Sequence, residues 1–587
     1  MKNKIFFSTV CAFMFMFTFS SCSTFLEENP VSELLAGEFF QSGDMIRNSV
    51  NNLYRNGPNS WTSPGVYAGS HLMMGGWSAG LFDNLNYKGQ EFYIAYAQEF
   101  TMTPNNVAVK MSTLWNDPFI YISRANVLIT TLPDIDLVTA VGLTETLRAQ
   151  LLAEARFFRA YNYLYLARHF GDLPYMITPA RNGSDEEVHV PRVPVKRIYD
   201  EIIIPDLEHA VSVLPVSSQY DNSGRITAIV ASAVLIDAYV QMAGHPVQDN
   251  SKWALAAAEA KKFLPEGAYA EHHTLHANEN FTELSAYNLL RSVGVRSASP
   301  GGRRLTTSPE FIYIHEFLSG TSNAGFSSNA WTTTVNALGP DECIPLTNNA
   351  YKPLPRYLAM YDETRDLRKR DRQFFADYFD MKDGTIVDNE PDNTPTPYFY
   401  YDWGAVKTQN ASGRHFALYR LPEMYLFAAE AIARTPEGVS AQAIDALATI
   451  RARAYVLGAF PDMTKAELDA VTAAQIAAAL PGVKAEIVAE LTGLTPDEFV
   501  REVWLERYRE LVFEYKEWNM IQRTRMYPKT NPMDNSVPVG TAQFVDITTV
   551  GTDFSLGRNF SVDNLLWPIP EIQIQRNPLL LPNNPGY

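Results

Sequence analysis

Residues 144–175 read TETLRAQLLAEARFFRAYNYLYLARHFGDLPY, and the periodicity of this stretch decides the fold class. Leu147, Leu151, Phe158 and Tyr165 recur at steps of four and seven and line one face of a helix. Ala153, Phe157, Ala160, Leu164 and Ala167 line a second face, richer in small residues. Only a narrow polar stripe, Arg148, Arg156 and Arg159, is left for water or salt bridges. A helix with two apolar faces is sandwiched between neighbours. Small residues on one side allow close approach, and large ones fill the gap on the other. This is the geometry of stacked helical hairpins, so the fold class expected is mainly α, an α-solenoid-like scaffold. Thr144 caps the start, and Gly171 with Pro174 ends the helix.

Working outward, the same pattern returns elsewhere. A helix is expected over 42–55. Arg225 to Ala243 and the alanine-rich stretch from Trp253 to Leu264 read as a hairpin of tetratricopeptide type. Further helices are expected over 196–214, 418–434, 441–455 and 464–494, with one long final helix over 496–525. Between them lie segments without helical period. Residues 56–116 are rich in Gly, Ser, Asn and aromatics, too long for a connector, and read as functional surface, with helix resuming near Leu114. Residues 265–408 hold little helix. Phe311 to Phe317 alternates like a short strand and is followed by the loop SGTSNAGFSSNAWTTT. The Pro- and Asn-rich tail over 564–587 needs Trp567 and Ile569 to pin it.

The chain has 587 residues and a formal net charge of −17, from 48 Lys+Arg against 65 Asp+Glu. A phosphate backbone is repelled by such a surface, so nucleic-acid binding is not expected. Three cysteines, Cys11, Cys22 and Cys343, do not make a disulfide framework. Lys2 and Lys4, the apolar run from Ile5 to Phe19 and Ser20-Ser21-Cys22 form a signal peptide over 1–21. A cysteine directly after small residues resembles a lipobox, with Phe19 in place of the usual leucine, and Cys22 is the expected lipidation site. No other segment approaches membrane-spanning length. The expected product sits on a membrane through its acyl chains without crossing it.

The order of several blocks resembles the SusD/RagB family of outer-membrane lipoproteins. They are Cys22 with Phe25-Leu26-Glu27 and Pro30; Glu154-Ala155-Arg156-Phe157-Phe158-Arg159-Ala160 running into Gly171-Asp172-Leu173-Pro174-Tyr175; and Asp206-Leu207 with Pro215. Later come Leu421, Ala429-Glu430-Ala431, Ile450-Arg451-Ala452-Arg453-Ala454, Glu506-Arg507, Glu510-Leu511 and Phe513-Glu514. Trp567-Pro568-Ile569-Pro570, Asn577-Pro578 and Asn584-Pro585-Gly586-Tyr587 close the chain. Tyr515 stands where the family pattern has glycine, Glu517 and Asn519 where arginine and aspartate are commoner, and 456–495 looks like an insertion. The resemblance implies a tetratricopeptide-like α-α superhelical scaffold with long irregular loops and a few short strands. It implies one domain over 22–587, whose parts, about 22–265 and 266–587, share the scaffold. It implies capture of a glycan or oligosaccharide, less often a peptide, for a SusC-like TonB-dependent transporter, by a lipid-anchored protein exposed at the cell outer membrane. It implies no catalysis and no cofactor.

A sugar ring offers a CH face to aromatic rings and hydroxyls to polar side chains. Trp61, Tyr67, Trp77, Asp83 and Asn84 supply this mix in the first irregular region, and Phe326, Asn329 and Trp331 in the second. Trp403 with Tyr400 and Tyr401 makes a third, weaker cluster; any of these aromatics could instead plug its own loop onto the scaffold. Other readings stay open. A peptide-binding, RagB-like partner of the transporter is one, and a purely structural partner of the barrel is another. Gly76-Trp77-Ser78-Ala79-Gly80 fits G-x-S-x-G, the elbow of serine hydrolases, which needs a strand before it and a helix after it. Nothing marks a glycosidase carboxylate pair. His272, His273 and His276, or Asp380, Asp383 and Asp388, leave a metal site undecided.

Overall fold

The computed structural model describes residues 40, 42–55, 75–83, 96, 99–134, 136, 141–179, 187, 189–295, 297–299, 301–316, 352–376, 378–380, 386–388, 395–399, 401–402, 413–548 and 559–587. The helix that decided the fold class spans Glu145–Phe170. Its ends are those the sequence specifies. The Thr144 hydroxyl accepts from the Leu147 amide, and Gly171 closes the C-terminus at φ +72°, in the left-handed region that favours glycine. Both predicted apolar faces are covered, with Leu151, Ala153, Phe157, Phe158, Ala160, Leu164 and Ala167 all buried. The arginine stripe is committed to ion pairs. Arg156 Nε donates to Asp206 Oδ1 at 2.6 Å and Arg159 Nε to Asp206 Oδ2 at 2.7 Å, while Arg159 Nη1 reaches Asn126 Oδ1 at 3.0 Å. Arg148 pairs with Glu145.

Around it, in chain order, stand α1 (Gly43–Arg55), α2 (Ala108–Thr131), this helix as α3, α4 (Ile204–Val213), α5 (Ala228–Ala243) and α6 (Lys252–Ala260). Then follow α7 (Leu421–Ala433), α8 (Ala441–Tyr455), α9 (Ala473–Leu491), α10 (Pro496–Glu510) and α11 (Glu517–Thr524). From α2 to α9 each of these helices packs on the next, α6 meeting α7 across the long interval between them, and α10 packs on α7. Contact between successive neighbours is the signature of a solenoid, and the expectation of a tetratricopeptide-like scaffold holds. The α5–α6 hairpin shows why. Every residue of α5 except Gln241 is buried, and Ala256, Ala257 and Ala260 of α6 are small enough to admit it.

The strands are short and accessory. Six two-stranded antiparallel pairs are described. Those that matter below are β1 (Phe82–Asp83) with β5 (Lys352–Pro353), β4 (Phe311–His315) with β10 (Phe416–Arg420), β6 (Phe375–Ala376) with β9 (Thr396–Pro397), and β7 (Tyr378–Asp380) with β8 (Ile386–Asp388). β2 (Leu173–Pro174) pairs with β3 (Arg192–Val193), and β11 (Met526–Lys529) with β12 (Gln543–Asp546). The alternation read in 311–317 is present as β4, but Phe311, Ile312, Tyr313 and Ile314 are all buried, since both faces of the strand are covered.

Three boundaries differ from expectation. Helix α2 begins at Ala108, ahead of Leu114, and carries Pro118 inside it. The stretch 464–494 is two helices, Lys465–Asp469 and α9, each with its own threonine capping box. The final long helix is broken between Glu510 and Glu517. Phe513 and Tyr515 adopt φ +66° and +61° there, a conformation that side chains with a Cβ rarely take and that explains glycine in the family pattern at 515.

The tail is pinned where expected. The Trp567 amide donates to the His169 carbonyl at 2.7 Å, its ring lies 4.1 Å from the His169 ring, and Ile569 is fully buried. Asn584 completes the clasp, its Nδ2 donating to the carbonyls of Phe170 at 2.9 Å and Trp567 at 2.7 Å. Replacing Asn584 by Ala removes a donor from both carbonyls and leaves that of Phe170 with only the longer contact from Arg192 Nη2 at 3.5 Å. We expect a loss of about 1–3 kcal/mol in urea unfolding and faster amide exchange confined to 559–587.

Candidate functional site

The two loop regions singled out in the sequence meet at one ribbon. In β1–β5, Phe82 pairs with Pro353 and Asp83 with Lys352, and the Leu354 amide donates to the Leu81 carbonyl at 2.9 Å. The first region therefore passes through Asp83 directly beside the point where the second region, carrying Phe326, Asn329 and Trp331, returns to the scaffold. The ribbon β4–β10 does the same for the outgoing end of the second region and for the segment after Trp403, since Phe416 pairs with His315. Trp61, Tyr67, Asn84, Phe326, Asn329, Trp331, Trp403 and Cys22 lie outside the described residues, as does the side chain of Asp83. What is brought together is the set of attachment points.

Trp77 differs from the expectation. It is fully buried, in a helical turn over 75–78, and presents no face to a ligand. Burial of so large an apolar ring against the scaffold outweighs exposing it. Tyr401 is likewise buried, and its carbonyl accepts from Arg291 Nη1 at 3.1 Å.

The hydrolase elbow is not formed. The turn holding Ser78 runs through Gly80, at φ +63°, into the strand β1, so helix precedes strand, the reverse of the order the motif requires. Ser78 is itself buried. His273 Nδ1 donates to the Pro309 carbonyl at 3.1 Å and His276 Nε2 lies 2.9 Å from Ser308 Oγ, so both are tied to one turn. Among the described residues no group of three or more His, Cys, Asp and Glu converges as a metal cluster. In β7–β8, Asp380 stands opposite Ile386 and Asp388 opposite Tyr378, and Asp383 lies outside the described residues.

Two buried assemblies hold these attachment points, and neither is legible in the spacing of the sequence. The first is aromatic. Phe513 receives Phe82 of β1 at 5.7 Å, Phe375 of β6 at 5.5 Å and Phe399 at 6.4 Å, and Phe82 also meets Tyr357 at 4.9 Å. The left-handed Phe513 is thus the hub on which the loop bases converge. The second is ionic. Arg368, Arg420, Arg451, Arg453 and Arg509 pair with Asp366, Glu310, Glu506, Glu510 and Glu514, all buried. The sequence does carry a signal for it, since Arg451, Arg453, Glu506, Glu510 and Glu514 all belong to the family blocks. The network joins both strands of the β4–β10 ribbon, at the end where Arg420 stands opposite Phe311, to α8 and α10. Burial opposes charge on Glu506, but Arg368, Arg451 and Arg509 outweigh it and hold the carboxyl at about 2. Burial pushes Glu514 up to about 7, with Arg420 and Lys516 opposing the rise and Glu423 adding to it.

Beside Phe416, at the His315–Phe416 end of the β4–β10 ribbon, lies a cavity of about 90 Å³, where one water needs about 10–15 Å³. Helix α3 contributes Tyr161, Tyr165, Arg168 and His169; β10 contributes Phe416, Leu418 and Tyr419; the broken segment contributes Glu514, Tyr515, Lys516, Trp518 and Asn519. Gly75, at the start of the helical turn over 75–78, completes the wall, and a Cβ there would stand 3.2 Å from Trp518 Cβ. Arg168 and Tyr419 both bond to Asp237, Lys516 Nζ lies 3.2 Å from Glu423 Oε2, and Glu514 Oε1 accepts from Arg420 Nε at 2.7 Å. His169 is held neutral, at about 4, by burial.

Comparison with known proteins agrees with this architecture. A model of the SusD family matches residues 373–587, and a second, described as starch-binding associating with outer membrane, matches residues 24–239. The SusD-like protein P2 of Formosa agariphila is 23% identical, over 97% of this chain and 98% of that protein. A SusD superfamily protein of Parabacteroides distasonis has the same fold, with a TM-score of 0.68 at 22% identity over 93% of this chain and 99% of that one. A laminarin binding SusD-like protein superposes with a TM-score of 0.59 at 19% identity over 93% of this chain and 100% of that one. With the two family models matching its two ends and the full-length relative between them, this chain, with its helical stack, clasped tail and ion network, belongs to the SusD/RagB family.

Proposed function

We propose that this chain captures an oligosaccharide at the cell surface for a SusC-like TonB-dependent transporter, anchored to the outer membrane through Cys22 after removal of residues 1–21. The observation that carries this reading is the convergence of the aromatic loop bases on the β1–β5 and β4–β10 ribbons. It is supported by the family's description as starch-binding associating with outer membrane, and by the laminarin binding relative of the same fold. Residues 22–587 act as one domain. Trp61, Tyr67, Asp83, Asn84, Phe326, Asn329 and Trp331 are the proposed contacts, with Trp77 supporting them from inside. This reading makes the chain a binding protein, and the Ser78 turn, with its reversed order of elements and buried hydroxyl, gives no support to the serine-hydrolase alternative.

Isothermal titration against a polysaccharide panel that includes laminarin tests the reading. At least one polysaccharide binds, and Trp331→Ala or Trp61→Ala weakens it roughly five- to thirty-fold, as expected for an aromatic anchor worth about 1–2 kcal/mol. Silence across the panel, with binding of a peptide instead, would overturn the glycan assignment. Cys22→Ala should release the protein from the membrane fraction.

A further inference from the structure

We propose that the non-helical turn between α10 and α11 is a proton-operated hinge, which seats both loop-bearing ribbons while Glu517 is neutral and releases them, and with them the bound ligand, when Glu517 loses its proton. The inference rests on the glycan reading above and adds a regulation to it. The turn touches both ribbons. Phe513 packs on Phe82 of β1 at 5.7 Å, and Tyr515 stacks on Phe416 of β10 at 6.0 Å. Both hold the left-handed backbone, at φ +66° and +61°, a conformation that persists in such residues only while the surrounding packing maintains it. Glu517 follows directly, as the first residue of α11.

Glu517 cannot carry charge where it stands. It is 3% exposed, and neither carboxylate oxygen has a hydrogen-bond partner. The cations of the surrounding elements are already paired. Lys516 of the turn lies 3.2 Å from Glu423 of α7 and donates to the Leu418 carbonyl at 2.8 Å. Arg420 of β10 pairs with Glu514 at 2.7 Å, Arg507 of α10 with Glu423 at 2.9 Å, Arg523 of α11 with Glu430 at 2.6 Å, and Arg168 of α3 with Asp237. Tyr508 of α10 and Tyr527 of β11 are phenols that burial pushes up, and His169 of α3 is held neutral by burial, so none of the three supplies charge. Burial, reinforced by Glu514, accordingly pushes Glu517 up to about 8. A carboxylate stranded in the interior is far more costly than a broken surface pair, so ionisation is relieved by moving Glu517 to water. Standing at the start of its helix, behind the non-helical 511–516, it reaches water by rotation of the turn. That rotation carries Phe513 and Tyr515 off β1 and β10.

The test uses the detergent-solubilised full chain, wild type and Glu517→Gln, with thermal melts to establish that the variant folds. The probe is laminarin, or another neutral polysaccharide of the panel that binds, so that the ligand itself does not titrate. A binding-competent fraction that halves at about pH 8 makes wild-type affinity about tenfold weaker at pH 9 than at pH 6.5. Glu517→Gln should bind equally well at both. Hydrogen exchange at the same two pH values, corrected for the intrinsic rate, should show lost protection over 81–83, 352–354 and 416–420 in the wild type alone. Equal pH dependence of affinity in the two chains, or unchanged protection of both ribbons in the wild type, would overturn the hinge and leave the glycan reading standing. Absence of binding to any polysaccharide overturns the glycan reading, and the exchange comparison then decides the hinge by itself.

Discussion

Glu510→Ala should be among the most damaging single substitutions in this protein, costing about 3–5 kcal/mol in chemical unfolding. The Glu510 carboxylate is fully buried and accepts from Arg420 Nη1 at 2.7 Å, Arg453 Nη2 at 2.7 Å and Arg368 Nη1 at 3.0 Å. Burial alone would raise its pKa, yet Arg420, Arg453 and Arg368 hold it below the usual carboxylate value. Removing it leaves five guanidiniums against four carboxylates in a region closed to water, and stranded buried charge is far more costly than a lost surface pair. Glu510→Gln keeps the volume and should lose nearly as much. Because Arg420 ends β10 and Glu310 precedes β4, ligand affinity should fall with stability. The control is Asp445→Ala, which removes an exposed pair with Lys484 at 2.7 Å and should change stability by about 0.5 kcal/mol or less. Equal effects from Glu510→Ala and Asp445→Ala would show that the network is not what secures the loop bases.

Glu517→Gln should stabilise the protein at alkaline pH and leave it unchanged in acid. Both Glu517 carboxylate oxygens are buried with no hydrogen-bond partner, and burial, reinforced by Glu514, pushes the group up to about 8. The unfolded chain titrates near 4.5. Between these values the folded protein holds a proton that the unfolded chain has lost, so the stability tied to Glu517 is complete below pH 4.5 and drains away as pH rises to about 8. Each pH unit costs about 1.4 kcal/mol in that window, a few kcal/mol in all. Glu514, at about 7, adds a shallower loss of the same sign. Buried histidines act oppositely. His169, His273 and His415, at about 4, and His315, at about 3, are held neutral by burial, so their contribution is present above pH 6.5 and lost as pH falls. Stability from these groups therefore peaks near pH 6.5. The difference between wild type and Glu517→Gln isolates one limb. Urea midpoints should agree at pH 4.5 and diverge steadily toward pH 8. Parallel pH profiles would rule out a buried, protonated Glu517.

Periodicity alone carried the scaffold. The spacing of Leu151, Phe157, Phe158 and Leu164 told that α3 has neighbours on two sides, and Thr144 and Gly171 told where it stops. These are local or nearly local properties, set by helix geometry and backbone stereochemistry, and a linear pattern records them directly. The family blocks also fixed which residues mattered, without saying why. That Arg451, Arg453, Glu506 and Glu510 form one buried network with Arg368 and Glu310 depends on bringing together positions as far as 143 residues apart, which no spacing rule encodes. The same limit explains Trp77. An aromatic in a Gly- and Ser-rich stretch has the composition of a binding loop, and only the packed neighbours show that its whole surface is covered. It also explains the break at 511–516, where helix propensity continues but the contacts of Phe513 and Tyr515 favour a left-handed backbone. Sequence thus determined the class of fold, the ends of its central helix and the family. Tertiary structure decided which charges are buried and which rings are covered, because each of these is a sum over neighbours distant along the chain.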